Sequence, residues 1–237
     1  MPPSAAVVVP TYNEAANLEP IARAVRSHGY RLVIVDDNSP DGTGDIADEL
    51  AAADGQIIVI HRPAKQGLGP AYAEAFAALL ETPTDIVCQM DADFSHSPDV
   101  VPDLIAAVEA GADVAIGSRY VPGGSVPGWP WYRRLLSRWG NGYARFLLGT
   151  SIQDMTSGFR AYRSPMLKML EPATCQASGY GFQVEMALRS HERGLAVVEV
   201  PIAFRDRERG ESKMHWKIAV EAMWLVTAWG IRRKVRR

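Results

Sequence analysis

Asp91-Ala92-Asp93 has the plainest chemical capacity of any stretch in the chain. It closes the apolar run from Asp85 to Met90, which reads as a buried strand, so two carboxylates stand one small residue apart at a strand's carboxyl end. Hard divalent cations take oxygen ligands, and Mg²⁺ usually keeps substrate phosphate oxygens in its shell rather than an all-protein cage. In open α/β sheets, ligands sit outside the carboxyl ends of the strands. The pair therefore suits a cation that carries a phosphorylated substrate. An Asp-x-Asp alone is common on solvent-facing turns, and its meaning depends on its surroundings.

The other candidates lie on turns of the same kind. Tyr12, in Pro10-Thr11-Tyr12-Asn13-Glu14, offers a ring on which a base can stack, and Glu14 or Asp37 can accept hydrogen bonds from base or ribose. That first turn has no glycine, which argues against a dinucleotide-binding Rossmann unit, and no P-loop is present. A nucleotide must then be held by side chains and a metal. Arg119 follows the fifth strand, and the mixed-charge cluster Arg205–Lys213 is a plausible loop whose cations close over a phosphate. Glu185 either orients an acceptor or is a satisfied helix residue.

The elements that must position these residues follow from patterning. Residues 5–9 are a continuous apolar run stopped by Pro10, which predicts a strand covered on both faces. Asn13 can cap a helix running to about Ser27. Strands at 31–35, 56–60, 85–90 and 113–116 alternate with helices ending near Ala53, Leu80 and Ala110. Such alternation predicts a mostly parallel α/β sheet with helices on both faces.

The second half differs in character. Residues 1–118 carry 18 acids and 5 bases, and residues 119–237 carry 9 acids and 20 bases. A basic half of this kind is fitted to a membrane surface or a phosphate; no helix-turn-helix, zinc or RNA-binding signature points to nucleic acid. Two cysteines, Cys88 and Cys175, exclude a disulfide framework, and Cys88 reads as a core thiol. All six Trp fall in two places: Trp129, Trp131 and Trp139 among arginines in segment 129–148, and Trp216, Trp224 and Trp229 near the end. Trp with Arg or Lys is the composition of a membrane-interface helix. The terminal helix, roughly Met214 to Ile231, carries a stripe at Trp216, Val220, Met223, Trp224, Thr227 and Ile231, and a polybasic run follows it. Its apolar stretch of 14 residues, Ile218 to Ile231, falls short of the ~20 needed to span a bilayer. No signal peptide is evident, so a cytoplasmic protein, peripheral on the cytoplasmic face of a membrane, is expected.

In their order along the chain, these stretches resemble the polyprenyl (dolichyl) phosphate mannose synthases, a branch of the inverting family 2 glycosyltransferases. The matching pieces are Pro10 to Glu14, Asp36 to Thr43, Gly67-Leu68-Gly69, Asp91 to His96, Ser118-Arg119-Tyr120, Thr156 to Arg160, and Arg207 with Gly210 to Lys213. The resemblance covers residues 5 to about 217 and implies a GT-A fold. Residues 1–213 would form the catalytic domain, and 214–237 an amphipathic helix with a basic tail. It implies mannose transfer with inversion from GDP-mannose to a polyprenyl phosphate, with Mg²⁺ or Mn²⁺ as cofactor. On this pattern Pro10, Tyr12, Glu14, Val35 and Asp37 hold the nucleoside. Asp91 and Asp93 hold the metal, with Ala92 alongside and Ser95 at a position where some members use Gln. Arg119, Arg207 and Lys213 match the phosphate-binding cations. Partners would be the donor, the lipid acceptor, the membrane surface and, where one exists, a membrane-anchored protein. The alternatives are a UDP-glucose or UDP-GlcNAc donor, a non-lipid acceptor, a nucleotidyltransferase, or a non-catalytic membrane-bound subunit.

Overall fold

The computed structural model describes residues 4–177, 179–206 and 216–235. Five strands alternate with helices as patterning predicts: β1 (Ala5–Thr11), α1 (Ala15–Ser27), β2 (Arg31–Asp36), α2 (Thr43–Ala53), β3 (Ile57–His61), α3 (Leu68–Leu80), β4 (Ile86–Gln89), α4 (Val101–Glu109) and β5 (Val114–Ser118). The chain continues through α5 (Trp131–Leu148), β6 (Arg160–Arg163), α6 (Ser164–Leu170), α7 (Tyr180–Glu192), β7 (Val197–Pro201) and α8 (Trp216–Val235).

The seven strands form one sheet in the order β3-β2-β1-β4-β6-β5-β7. Among the described residues only β6 runs antiparallel, wedged between β4 and β5. The unbroken apolar reading of β1 has a direct cause: Ala6 and Val8 feed the core on one face, while Ala5, Val7 and Val9 feed the core on the other. The first core lies against α3, α7 and the inner sides of α5 and α8; the second lies against α1, α2 and α4.

One detail of β1 decides where a ligand can enter. Pro10 does not end the strand; pairing with β2 continues through Pro10 and Thr11. On the other side β4 stops early, its last partner being Gln89 opposite Val8. Pro lacks an N–H, so it is tolerated where a neighbouring strand has already left. The strand order also reverses between β1 and β4, and their carboxyl ends diverge into a crevice at the switch point.

The predicted cap on α1 takes another form. Asn13 adopts a left-handed conformation (φ 55°), and the orphan N–H groups of α1 are satisfied from the turn before α2. Asn13 N donates to Ser39 Oγ, Glu14 N to Thr43 Oγ1 and Ala15 N to Asp41 Oδ2, at 3.0 to 3.2 Å. The turns after β1 and β2 are thereby locked together. Partial burial would raise the Asp41 pKa, but hydrogen bonds from the Thr43 hydroxyl and the Ala15 and Thr43 amides bring it below the ordinary carboxylate value. A depressed pKa contributes stability that is present above the unfolded value and lost as pH falls through the folded one. Asp41→Ala is therefore expected to cost about 1 kcal/mol in urea unfolding at pH 7. The difference should shrink once pH drops below about 4.

Candidate active site

Of the predicted residues, Tyr12, Glu14 and Asp37 lie on one lip of the crevice between β1 and β4, and Asp91, Asp93 and Ser95 on the other. On the β1–β2 side, Tyr12 and Glu14 are half-exposed on the locked turn. The Lys65 ammonium lies 3.9 Å from the centre of the Tyr12 ring, a cation–π contact at the place predicted for a stacked base. Glu14 also accepts from Asn17 Nδ2 at 2.8 Å. The Val35 side chain lies in the core, and its carbonyl accepts from Thr11 Oγ1. Asp37 is buried, and its carboxylate is paired with Arg62, a buried cation absent from the sequence reading. Arg62 also donates to Glu74 Oε2 and Gln66 Oε1, both at 3.0 Å. Burial pushes the Asp37 pKa up while the Arg62 bond and charge pull it down, and the net direction is upward. Nothing local in the sequence marks the pair, because its members come from the turns that follow β2 and β3.

On the β4 side, the Asp91-Ala92-Asp93 turn is shaped by the three residues after it. Phe94 sits in the left-handed region (φ 59°), where a non-glycine residue is strained. Ser95 N donates to Asp93 Oδ1 at 3.0 Å. His96 comes back under the turn and accepts the Asp91 N–H at Nδ1, 3.2 Å away. The imidazole is buried, stacked on Phe159 at 4.9 Å and edge-on to Phe204 at 5.5 Å. Burial lowers its pKa, partly offset by Asp91 and Asp93, which favours the neutral ring that the accepted hydrogen bond requires.

Whether these residues fit a divalent cation can be judged from Ser95. Its Oγ is buried with no hydrogen-bond partner among the described residues, on a residue whose amide holds the Asp93 carboxylate. Such an atom is what a cation held by Asp91 and Asp93 would use. Among the described residues no group of three His, Cys, Asp or Glu comes together; a cation held by Asp91, Asp93 and Ser95 would need further ligands, which a diphosphate could supply.

Arg119 lies beyond this turn and is buried in a two-pronged pair with Asp154: Nε to Oδ2 and Nη2 to Oδ1, both 2.7 Å. The backbone N–H of Arg119 also reaches Asp154 Oδ2, and Nη2 reaches Thr156 Oγ1. The aromatic faces of Tyr120, Trp129 and Phe204 surround the guanidinium. Arg160 donates to the carbonyls of Met155 and Ser157, so it shapes the 154–158 turn from within the core. Arg207 and Lys213 lie outside the described residues.

The inner face of α5 is tied to this turn. Asn141 accepts from Met155 N and donates to Thr156 Oγ1, and Tyr120 Oη donates to Ser137 Oγ at 2.6 Å. Its outer face exposes Trp131, Tyr132, Leu135, Leu136, Trp139 and Phe146. Trp129, expected at the same surface, is instead buried: its Nε1 donates to Asp206 and Arg133 lies over its ring. In α8, which packs on α5 through Gly230 against Leu147 and Thr227 against Tyr143, Met223, Trp224 and Ile231 of the predicted stripe face outward. Among the described residues no helix is long and apolar enough to cross a membrane. Glu185 is a satisfied helix residue: it accepts from the Gln176 and Ala177 amides and pairs with Arg189 at 2.6 Å.

The sheet with one antiparallel strand, the acidic turn after β4 and the Tyr12–Glu14 turn after β1 are what a family comparison must explain, and one does. The Glycosyl transferase family 2 model matches residues 6–170. The chain belongs to that family. It is also similar to a polyprenol monophosphomannose synthase from Mycolicibacterium smegmatis, at 48% identity over 98% of this chain and 88% of that one. An undecaprenyl-phosphate mannosyltransferase from Micrococcus luteus is 45% identical over 94% of this chain and 93% of that one. Among solved structures, a mannosyltransferase from Pyrobaculum calidifontis in complex with GDP-Man and Mn²⁺ matches with a TM-score of 0.61 at 15% identity. That match covers all of this chain and 65% of the solved one, and it supports the GT-A fold.

His96→Phe keeps the stacked ring and removes the acceptor under Asp91. This glycosyltransferase is then expected to lose about 1–3 kcal/mol of unfolding free energy for one orphaned N–H. Thermal and urea denaturation without added metal would measure it; unchanged stability would mean that the Asp91 amide does not depend on the imidazole.

Proposed function

We propose that this chain transfers mannose from GDP-mannose to a polyprenyl phosphate with inversion, giving a polyprenyl-phosphate β-mannose. The observation that carries this reading is the bracing of α5. One face of that helix holds the Asp154–Thr156 turn on which Arg119 rests, and the other presents Trp, Leu and Phe side chains outward. A lipid phosphate needs a cation and an apolar surface side by side. The names of the relatives, a polyprenol monophosphomannose synthase and an undecaprenyl-phosphate mannosyltransferase, support acceptor and sugar, and the GDP-Man complex supports the donor.

On this reading Pro10, Tyr12, Glu14, Val35 and Asp37 frame the nucleoside, Val35 through its backbone because its side chain is in the core. Asp91, Asp93 and Ser95 would hold Mg²⁺ or Mn²⁺, which when bound supplies electrostatic stabilisation to the departing diphosphate. Arg119, Arg207 and Lys213 would meet donor or acceptor phosphates. A phosphate monoester has a second pKa of about 6, so at pH 7 it is mostly dianionic and already nucleophilic. Its oxygen attacks the anomeric carbon as the bond to the diphosphate breaks on the opposite face, which inverts the centre. No general base is required, and Glu185, spent on two amides and Arg189, need not act as one. The aromatic faces of α5 and α8 would rest on the cytoplasmic leaflet, with Arg134, Arg138 and the basic tail on anionic headgroups.

A two-phase assay with a short polyprenyl phosphate and labelled GDP-mannose tests the chemistry. Label should enter the organic phase with Mn²⁺ or Mg²⁺, and Asp91→Ala should lower the rate by about a hundredfold or more. Transfer from UDP-glucose alone would keep the fold and replace the donor. The surface is tested separately by vesicle flotation. Leu135→Glu with Leu136→Glu removes two apolar anchors worth about 1.5–3 kcal/mol each when buried, and partitioning onto anionic vesicles should fall more than tenfold. Unchanged flotation would remove α5 from the membrane contact.

A further inference from the structure

Two buried amides beside the active site have no task in the reading above. Gln89 is the last residue of β4, and Gln183 lies in the first turn of α7; both are almost fully shielded. Gln89 Nε2 donates to the Gly158 carbonyl at 2.9 Å and to Gln183 Oε1 at 2.8 Å. A carbonyl can only accept, so the first bond fixes which end of Gln89 faces Gly158. The second bond then fixes Gln183, whose oxygen must face Gln89. The chain of bonds therefore aims the Gln183 NH₂ group away from its anchor, and that nitrogen has no partner among the described residues. A buried donor left unmade costs about 1–3 kcal/mol, and native structures seldom keep one without a use.

Gly158 shows what the donor overlooks. A Cβ on that residue would stand 3.6 Å from Gln183 Nε2, 3.7 Å from Asp91 Oδ1 and 3.7 Å from His96 Cε1. The amide donor and a carboxylate of the metal turn thus border one small space, kept open because residue 158 has no side chain. None of the nearest atoms round it is cationic. Phosphates are met by cations, whereas a neutral N–H beside a carboxylate matches a hydroxyl, which accepts from one and donates to the other.

We propose that Gln183 is a specificity-determining residue of the donor site: its Nε2 donates to a hydroxyl of the transferred sugar, which occupies the space over Gly158. Gly69 serves the same placement, since a Cβ there would come within 3.0 Å of the Phe182 ring; α3 packs closely enough on Phe182 to seat the residue that follows. The inference rests on the reading of the chain as a sugar-nucleotide transferase and adds how the sugar, rather than the nucleotide, is read.

Two variants of the full chain test it. Gln183→Met keeps length and loses the donor. Gly158→Ala places a methyl group in the space, and the surrounding atoms are at ordinary contact distance, so the fold accommodates it. GDP affinity with Mn²⁺ is measured by calorimetry, and transfer is measured from GDP-mannose and its monodeoxy analogues. Both variants should bind GDP within about threefold of the parent while transfer from GDP-mannose falls about tenfold or more, the signature of a contact made to the sugar alone. For one monodeoxy donor the parent should already be as slow as Gln183→Met, which then loses nothing further. The proposal is overturned if GDP affinity falls in step with transfer, since the amide would then serve the diphosphate or the fold. It is also overturned if every deoxy donor is slowed by Gln183→Met as much as GDP-mannose is. Parent activity with a different sugar nucleotide would displace only the donor reading, and the same comparison on deoxy forms of that donor would still decide the role of Gln183. Inactivity of the parent with every sugar nucleotide would overturn both.

Discussion

The parting of β1 and β4 is the constraint on which the rest depends. Two neighbouring parallel strands stay paired up to Val8 and Gln89, with a last hydrogen bond from Met90 N to the Val8 carbonyl; then β1 continues three residues along β2 while β4 leaves the sheet. From there the chain has two free lips, one carrying Tyr12 and Glu14 and the other Asp91 and Asp93. Each lip would be a mobile turn if left alone. The first is fixed by Ser39, Asp41 and Thr43, whose side chains satisfy the amides that open α1. The second is fixed by His96, which accepts the Asp91 amide from below. On the proposed reading rigid lips matter, because a site that binds a diphosphate through a cation gains little if its ligands must first be ordered.

Charge in the site is handled by pairing before any ligand arrives. The buried guanidinium of Arg62 is matched by Asp37, and that of Arg119 by Asp154. A buried cation without a partner would cost several kcal/mol, so these pairs let two arginines stand near the crevice without destabilising the fold. The Asp154 carboxyl shows the balance: burial would raise its pKa, yet the charge and hydrogen bonds of Arg119 hold it below the ordinary value. Asp154 is in turn fixed from behind, since its own amide and that of Gln153 donate to Glu199 on β7. The edge strand of the sheet therefore reaches the site through two carboxylates in series.

How far the sequence reveals this arrangement depends on the range of the interactions involved. The alternation from β1 to β5 is legible because apolar runs and turn residues act within a few positions, and Asp91-Ala92-Asp93 is legible because its spacing is local. β6 is not: Arg160-Ala161-Tyr162-Arg163 is four residues with two charges and becomes a strand only because β4 and β5 flank it. The Arg62–Asp37 pair and the Gln89–Gln183 bond join residues 25 and 94 positions apart, and no pattern along the chain announces either. Trp129 misleads for a related reason. Composition assigns it to a surface with Trp131 and Trp139, but its indole N–H finds Asp206 and the ring turns inward. The family resemblance reaches some of these residues through motifs, yet it cannot say that Arg160 in Thr156–Arg160 is a loop staple and not a ligand for phosphate.

The uneven distribution of charge, acidic to residue 118 and basic after it, then has a physical interpretation. The first half builds the lips of the crevice, where on the proposed reading a nucleoside diphosphate would be an anion facing carboxylates; only an intervening cation would make that contact favourable, which would give the acids their place there. The second half supplies Arg119, the arginines of α5 and the terminal basic run, and on the proposed reading it faces a phosphate carried on a hydrocarbon chain. For that ligand a metal would add nothing that Arg does not provide, whereas apolar surface next to the cations would. The antiparallel β6 is what lets one sheet serve both halves. It closes the gap between β4 and β5 and leads out of the 154–158 turn, which presents Asp154 and Thr156 to Arg119 on one side and Gly158 to Asp91 on the other. A chain in which β4 and β5 paired directly would keep the acidic turn and lose the segment that joins it to the basic half.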